Sequence, residues 1–346
     1  MERVARDTGL LLSQEHEGLI PNRFPARAGT ARIGREPRGT PSMLPTGPNT
    51  PPSSTVWKVV HFPLVLLVIG LAFMVAAGAL ATIVSTVLRA TGADGNGPMA
   101  VVLGAVVAAI FTGAYLAFVW LVERRRPTAF GLSGWARELG AGLLIGFLIF
   151  SAIVGVIALF GGYRVVGTRG PEVLWPVIGI ALISGFSEEI IMRGVIFRLI
   201  ERWLGSWIAL AISAALFGAG HLANPNASWF AAVCIALEAG IMLGAIYMVT
   251  RRLWAAVGIH AAWNFTQGGI YGIAISGLDT QGLLVPRISG SDLLTGGAFG
   301  AEASLPALVL ATALGVALLV IAYRKGNFVA PFWMRRGASV EPVAAT

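Results

Sequence analysis

The chain has 346 residues, 56% of them hydrophobic and 12% charged. A soluble domain carries about a quarter charged residues, whereas here the apolar residues fall in blocks of ~20, the length that crosses a ~30 Å hydrocarbon core, so a single large soluble core is excluded. The formal charge is +8, but Lys and Arg stand at the ends of the apolar blocks, where membrane topology places them; the bilayer, and not nucleic acid, is the expected partner.

Residues 1–56 come first. They hold eight of the 18 prolines and seven arginines, with no apolar run. Such a segment cannot bury enough apolar surface to fold, so a disordered basic tail without a cleavable signal peptide is expected. Eight apolar blocks follow, at 57–88, 99–122, 139–160, 174–197, 204–221, 229–249, 253–270 and 305–323. The expected fold class is therefore all-α: a polytopic integral membrane protein with about eight transmembrane helices. It divides into N-terminal helices 1–3 (57–171), a core of helices 4–7 (172–270), and an outer loop, last helix and tail (271–346).

With the N-terminus in the cytoplasm, 20 of the 25 Lys and Arg residues fall on the cytoplasmic side and four opposite, with Arg193 inside a span. That asymmetry sets the expected orientation, with both termini cytoplasmic. The Gly-rich stretch 271–304 then reads as a long, structureless outer loop, a type of segment that often acts as a lid. The lone cysteine, Cys234, lies in an apolar block, which excludes an intramolecular disulfide and reads as a small buried hydrophobe. Gly240-xxx-Gly244 reads as a close-packing helix face.

An ionised side chain at mid-bilayer costs about 2.5–3.5 kcal/mol on insertion scales, so each marks a functional hypothesis. Glu188, Glu189, Arg193 and Glu238 are placed there. Glu189 and Arg193 are four apart and share a helix face, so they can pair. Glu188 is rotated by about 100° from Glu189 and is left free to work. His221 follows Phe217 by four residues, and His260 precedes Asn264 by four. A glutamate out of water suits general acid–base work, and His and Asn N–H groups on one face suit an oxyanion. Together they describe a water-activating hydrolase with no side-chain nucleophile. Ser187, directly before Glu188, is not taken as one. Glu238 reads as structural, and Glu302 receives no role.

In this order, Glu188-Glu189-xxx-Arg193, Phe217-xxx-His221 and His260-xxx-Asn264 resemble the three motifs of the CAAX-processing and bacteriocin-processing intramembrane proteases, of the type II CAAX prenyl endopeptidase kind. The resemblance covers about residues 172–270 well and the rest loosely. It implies that Glu188 and His221 activate a water, that His260 and Asn264 form the oxyanion site, and that Glu189 and Arg193 hold the geometry. The substrate would be a peptide or protein reaching the membrane. No cofactor is assigned; if a metal takes part, zinc on Glu188, His221 and His260 is the set available.

Two other readings compete. One is a non-enzymatic membrane protein, linked to bacteriocin immunity or secretion, that uses the polar cluster for packing. The other is an ion-coupled transporter using Glu188, Glu189 and Glu238, although no repeated halves are visible. A Lys-poor, Ala- and Arg-rich composition points to a bacterial inner membrane. Counted from the cytoplasmic helix ends at 1.5 Å per residue, Glu188 lies about 14 Å deep, His260 about 10 Å and His221 about 25 Å. A shared site needs them level, so a helix end is misplaced, with His221 the first suspect.

Overall fold

The computed structural model describes residues 54–90 and 97–335, so most of the 1–56 tail lies outside the described residues. Helix α1 spans Pro63–Ala90, α2 Met99–Val122 and α3 Trp135–Leu159. Strand β1 (Tyr163–Thr168) leads to α4, Pro171–Leu204. Helices α5 (Ser206–Ala223), α6 (Trp229–Thr250) and α7 (Trp254–Asn264) complete the core; a π turn, Phe265–Ile270, continues α7. Strand β2 (Leu284–Ile288) precedes the last helix, α8 (Leu305–Arg324). Among the described residues, seven of these helices are long and apolar enough to cross a membrane. The chain is an all-α polytopic membrane protein. The predicted block at 253–270 forms a helix of 11 residues plus the six of its π turn, shorter than the other spans.

The outward faces carry the apolar side chains a lipid-facing helix needs. Val68, Val75, Leu80, Ile83 and Val87 of α1 are all exposed. Between helices there is no comparable apolar drive, so close backbone packing takes over. Glycines supply it. A Cβ at Gly142 or Gly146 of α3 would stand 2.4 Å from the Ala255 or Ile259 carbonyl oxygen of α7, and one at Gly258 of α7 would stand 2.6 Å from the Leu139 oxygen. The backbones of α3 and α7 therefore touch, which fixes the helix that carries His260 and Asn264. The expected Gly240-xxx-Gly244 face is used in the same way. A Cβ at Gly240 would lie 2.8 Å from Ala214 Cα of α5, and one at Gly244 2.6 Å from Leu210 Cδ1. Cys234 is buried in α6, as expected.

Four expectations about boundaries need correction. The first block is broken at His61–Phe62, because Pro63 lacks the N–H to continue the turn and instead starts α1. The third helix starts at Trp135, four residues before the expected Leu139. The fourth helix does not stop at Phe197 but runs to Leu204. Arg198 and Arg202 look like membrane-edge residues, yet both donate to Glu123 Oε1, at 2.8 and 3.2 Å, and the helix continues through them. The outer stretch 271–304 is not structureless. It holds β2, which pairs antiparallel with β1 from Tyr163↔Ile288 to Thr168↔Leu284, a short helix Asp292–Thr295 and a 3₁₀ turn Ala301–Ala303. Ile273, Ile275, Phe299 and Ala301 are buried, so this segment packs onto the bundle.

The helix extension removes most of the depth mismatch. Glu188 lies 16 residues before Leu204, about 24 Å along the helix, and His221 lies 15 residues beyond Ser206, about 22 Å. The misplaced end was that of the fourth helix, not the position of His221. Helix α7, for its part, starts inside the bundle. Leu253 is fully buried and its N–H donates to the Ala129 carbonyl at 2.9 Å, while Trp254 Nε1 donates to the Gly131 carbonyl at 3.0 Å. A short count from Trp254 to His260 is thus already deep.

Candidate active site

Three π turns border the polar cluster. Ile190–Phe197 follows Glu189, Ala236–Gly240 contains Glu238, and Phe265–Ile270 follows Asn264. A π turn widens the helix and leaves carbonyls without their usual N–H partner, and such turns often stand at functional sites. Arg193 makes use of one: its Nη2 donates to the carbonyls of Ala239 and Gly240, at 3.0 and 3.2 Å. Its Nη1 donates to Glu189 Oε1 at 2.8 Å, and its guanidinium lies over the Phe217 ring, 4.8 Å from the centroid. The predicted Glu189–Arg193 pair is present, with both side chains removed from solvent.

Glu189 does more than neutralise Arg193. The same Oε1 accepts from His260 Nδ1 at 2.9 Å. A carboxylate only accepts, so Nδ1 carries the proton and Nε2 faces away from Glu189. His260 Nε2 lies 3.8 Å from Glu188 Oε2, and the Glu188 side chain is 36% exposed. Adjacent glutamates thus separate into a sealed carboxylate that orients the histidine and an open one beside its free nitrogen. Asn264, one turn along α7, donates from Nδ2 to Ser184 Oγ at 2.7 Å, and Ser184 donates to the Ile180 carbonyl at 2.9 Å. That leaves the second Nδ2 hydrogen of Asn264 for a ligand.

His221 opens a 3₁₀ turn at the end of α5. Its Nδ1 bonds the Phe217 carbonyl at 2.7 Å, so Nδ1 is again the protonated nitrogen and Nε2 is available. The Phe217 ring stands between the histidines, 4.9 Å from the His221 ring and 5.9 Å from that of His260. Two spaces meet at Phe217 and His221. The outer cleft, about 530 Å³, is lined by Glu188, Met192, His221 and Asn224. The inner cavity is lined by His221, His260, Asn264, Trp263, Glu238 and Glu302. Of the six residues singled out from the motifs, Glu188, His221, His260 and Asn264 line these two adjoining spaces, and Glu189 and Arg193 are buried behind them. Ser187 donates its hydroxyl to the Ile183 carbonyl at 2.7 Å and serves the helix backbone.

Residues 170–266 match the family model of type II CAAX prenyl endopeptidase Rce1-like proteins. The matched stretch takes in helices α4 to α7. The match takes in Glu188, Glu189, Arg193, His221, His260 and Asn264, in the order of the three motifs. No curated protein and no solved structure matches the chain. Outside the Rce1-like segment lies Glu302, which the loop 271–304 brings to the inner cavity.

The sequence reading missed Ser184, Trp263 and Glu302. Ser184 had a usable signal, since it precedes Glu188 by four residues on one helix face. Glu302 had none, because its approach depends on how a Gly-rich loop folds. The zinc set of Glu188, His221 and His260 would be reached through the Nε2 atoms of both histidines. His260 Nδ1 and His221 Nδ1 are both committed to protein acceptors.

Proposed function

We propose that this protein hydrolyses a peptide bond of a membrane-associated peptide, by water activated between Glu188 and His221. The observation that carries this reading is that Glu188 and His221 line one cleft while His260 Nε2 stands 3.8 Å from Glu188 Oε2. In the proposed reaction the Glu188 carboxylate takes a proton from the water as its oxygen attacks the scissile carbonyl, and His221 Nε2 accepts the second water hydrogen. The carbonyl oxygen becomes an oxyanion. Asn264 Nδ2–H and a protonated His260 Nε2–H donate to it, a preorganised arrangement that favours the tetrahedral state. Glu188 then passes its proton to the leaving amine as the C–N bond breaks.

His260 donates from Nε2 only when both ring nitrogens carry protons. Glu189, on Nδ1, and Glu188, near Nε2, provide the negative surroundings for that form. The proposed setting is a bacterial inner membrane, argued from the Lys-poor, Ala- and Arg-rich composition, with both termini in the cytoplasm, argued from the one-sided distribution of Lys and Arg.

The experiment that tests this reading is cleavage by purified protein in liposomes. Glu188→Gln, His221→Ala and His260→Ala are each expected to abolish turnover while the protein still inserts and purifies. Equal loss of folding and turnover in all three would favour a packing role for the cluster. Substrate is identified by trapping on the Glu188→Gln protein followed by mass spectrometry.

A further inference from the structure

The inner cavity is lined by two carboxyl groups that the proposed reaction does not use, Glu238 and Glu302. Glu238 is fully buried, and neither of its oxygens has a hydrogen-bond partner among the described residues. Glu302 is 3% exposed; Trp263 Nε1 donates to its Oε2 at 3.4 Å, and the Ser276 and Gln267 side chains stand close enough to bond it as well. Both line the cavity that also holds His221, His260 and Asn264.

Buried polar atoms without partners call for an explanation, and a ligand is one. The remaining wall is largely aliphatic, with Ile235, Met242, Leu243 and Ile259. Aliphatic and acidic lining together complement a methylene stem with a cationic head. The space open to the centres of water-sized groups is about 30 Å³, against ~10–15 Å³ for one such group. A compact ammonium suits a small space between two acids better than a planar, forked guanidinium. A metal ion is the poorer match, since among the described residues no acid and histidine group is set to hold one.

We propose that the inner cavity is a binding subsite for a lysine side chain of the substrate, with Glu238 and Glu302 as its charge partners. The proposal rests on the proteolytic reading and narrows it. The substrate class becomes membrane-associated peptides with a lysine beside the cleaved bond. Selectivity comes from Glu238, whose two oxygens are left without a partner when a neutral side chain occupies the cavity.

The test uses full-length Glu188→Gln protein in detergent and a set of N-acylated synthetic peptides. One lysine is walked along an otherwise neutral sequence, with norleucine and arginine counterparts at each position. At one position lysine is expected to bind about tenfold more tightly than norleucine or arginine. Adding Glu238→Gln or Glu302→Gln brings that ratio to near one while norleucine affinity is unchanged, which reports an intact fold; Glu238→Asp and Glu302→Asp keep the preference. A ratio near one at every position, or one that survives both carboxamide variants, overturns the subsite. Lysine preference in a protein whose wild type cleaves nothing would defeat the proteolytic reading and leave the subsite standing. Cleavage without lysine preference would do the reverse.

Discussion

Glu189 Oε1 accepts two hydrogen bonds at once, from Arg193 Nη1 at 2.8 Å and from His260 Nδ1 at 2.9 Å. One oxygen therefore joins α4 to α7 and settles which nitrogen of His260 faces Glu188. The charge of Arg193 offsets that of Glu189 where no solvent reaches either, so the pair and the histidine stand or fall together.

From this relationship, Glu189→Gln is expected to be worse than loss of one hydrogen bond. It leaves Arg193 buried without its partner, and breaking a buried pair from one side costs about 3–5 kcal/mol. The thermal midpoint of the detergent-solubilised protein should fall clearly. A double Glu189→Leu, Arg193→Met variant should recover most of that stability but not turnover, because His260 has lost its orienting acceptor. Recovery of both would show that Glu189 serves packing alone.

The contact of α3 with α7 gives a second prediction. Gly146→Ala places a methyl group against the Ile259 carbonyl, where a Cβ would sit at 2.4 Å. Overpacking of that kind costs about 1–3 kcal/mol, and relief requires α7 to move away from α3. Turnover should fall more than the folded fraction does, since His260 and Asn264 move with the helix. Gly155→Ala, on the same helix with nothing within 4 Å, should leave both unchanged.

How much of this was legible in the sequence follows from the kind of signal each residue gives. Glu188, Glu189 and Arg193 stood out because charge is rare in an apolar block, and four-residue spacing paired Glu189 with Arg193 and His260 with Asn264. Spacing on one helix says nothing across helices, so the bond from Glu189 to His260 was not foreseen. The end of α4 was misread because Arg198 and Arg202 resemble membrane-edge residues; their partner, Glu123, lies 75 and 79 residues away. Glu302 was passed over because a Gly-rich stretch carries no periodicity from which burial can be read.

Ser184 supports Asn264 through one hydrogen bond. Ser184→Ala removes it, and a hydrogen bond of that kind is worth about 0.5–1.5 kcal/mol. If Asn264 is an oxyanion donor, kcat should fall about two- to tenfold with KM unchanged. An equal rise in KM would place Asn264 in substrate binding instead.

At the arginine-rich end, Glu123 is 1% exposed in its side chain. Burial acts to raise its pKa, but the charges and hydrogen bonds of Arg198 and Arg125 overcome it and hold the carboxyl below its ordinary value. A depressed carboxylate stabilises the fold above its unfolded pKa, about 4.3, and that contribution is lost as pH falls through the lower folded value. The thermal midpoint should therefore drop below about pH 4, and Glu123→Gln should remove that part of the pH dependence.

Metal dependence is decided by elemental analysis together with turnover after chelation. Water activation by Glu188 and His221 predicts less than one zinc per chain and unchanged turnover. Stoichiometric zinc with loss of turnover on chelation would replace that mechanism.

The central claim is that Glu188 takes the proton of the attacking water, and the most direct measurement is the cleavage rate of Glu188→Gln against wild type in liposomes. Loss of a general base predicts a fall of about 10²–10⁴-fold, with the same thermal midpoint. A Glu188→Gln protein that turns over at the wild-type rate would contradict the account.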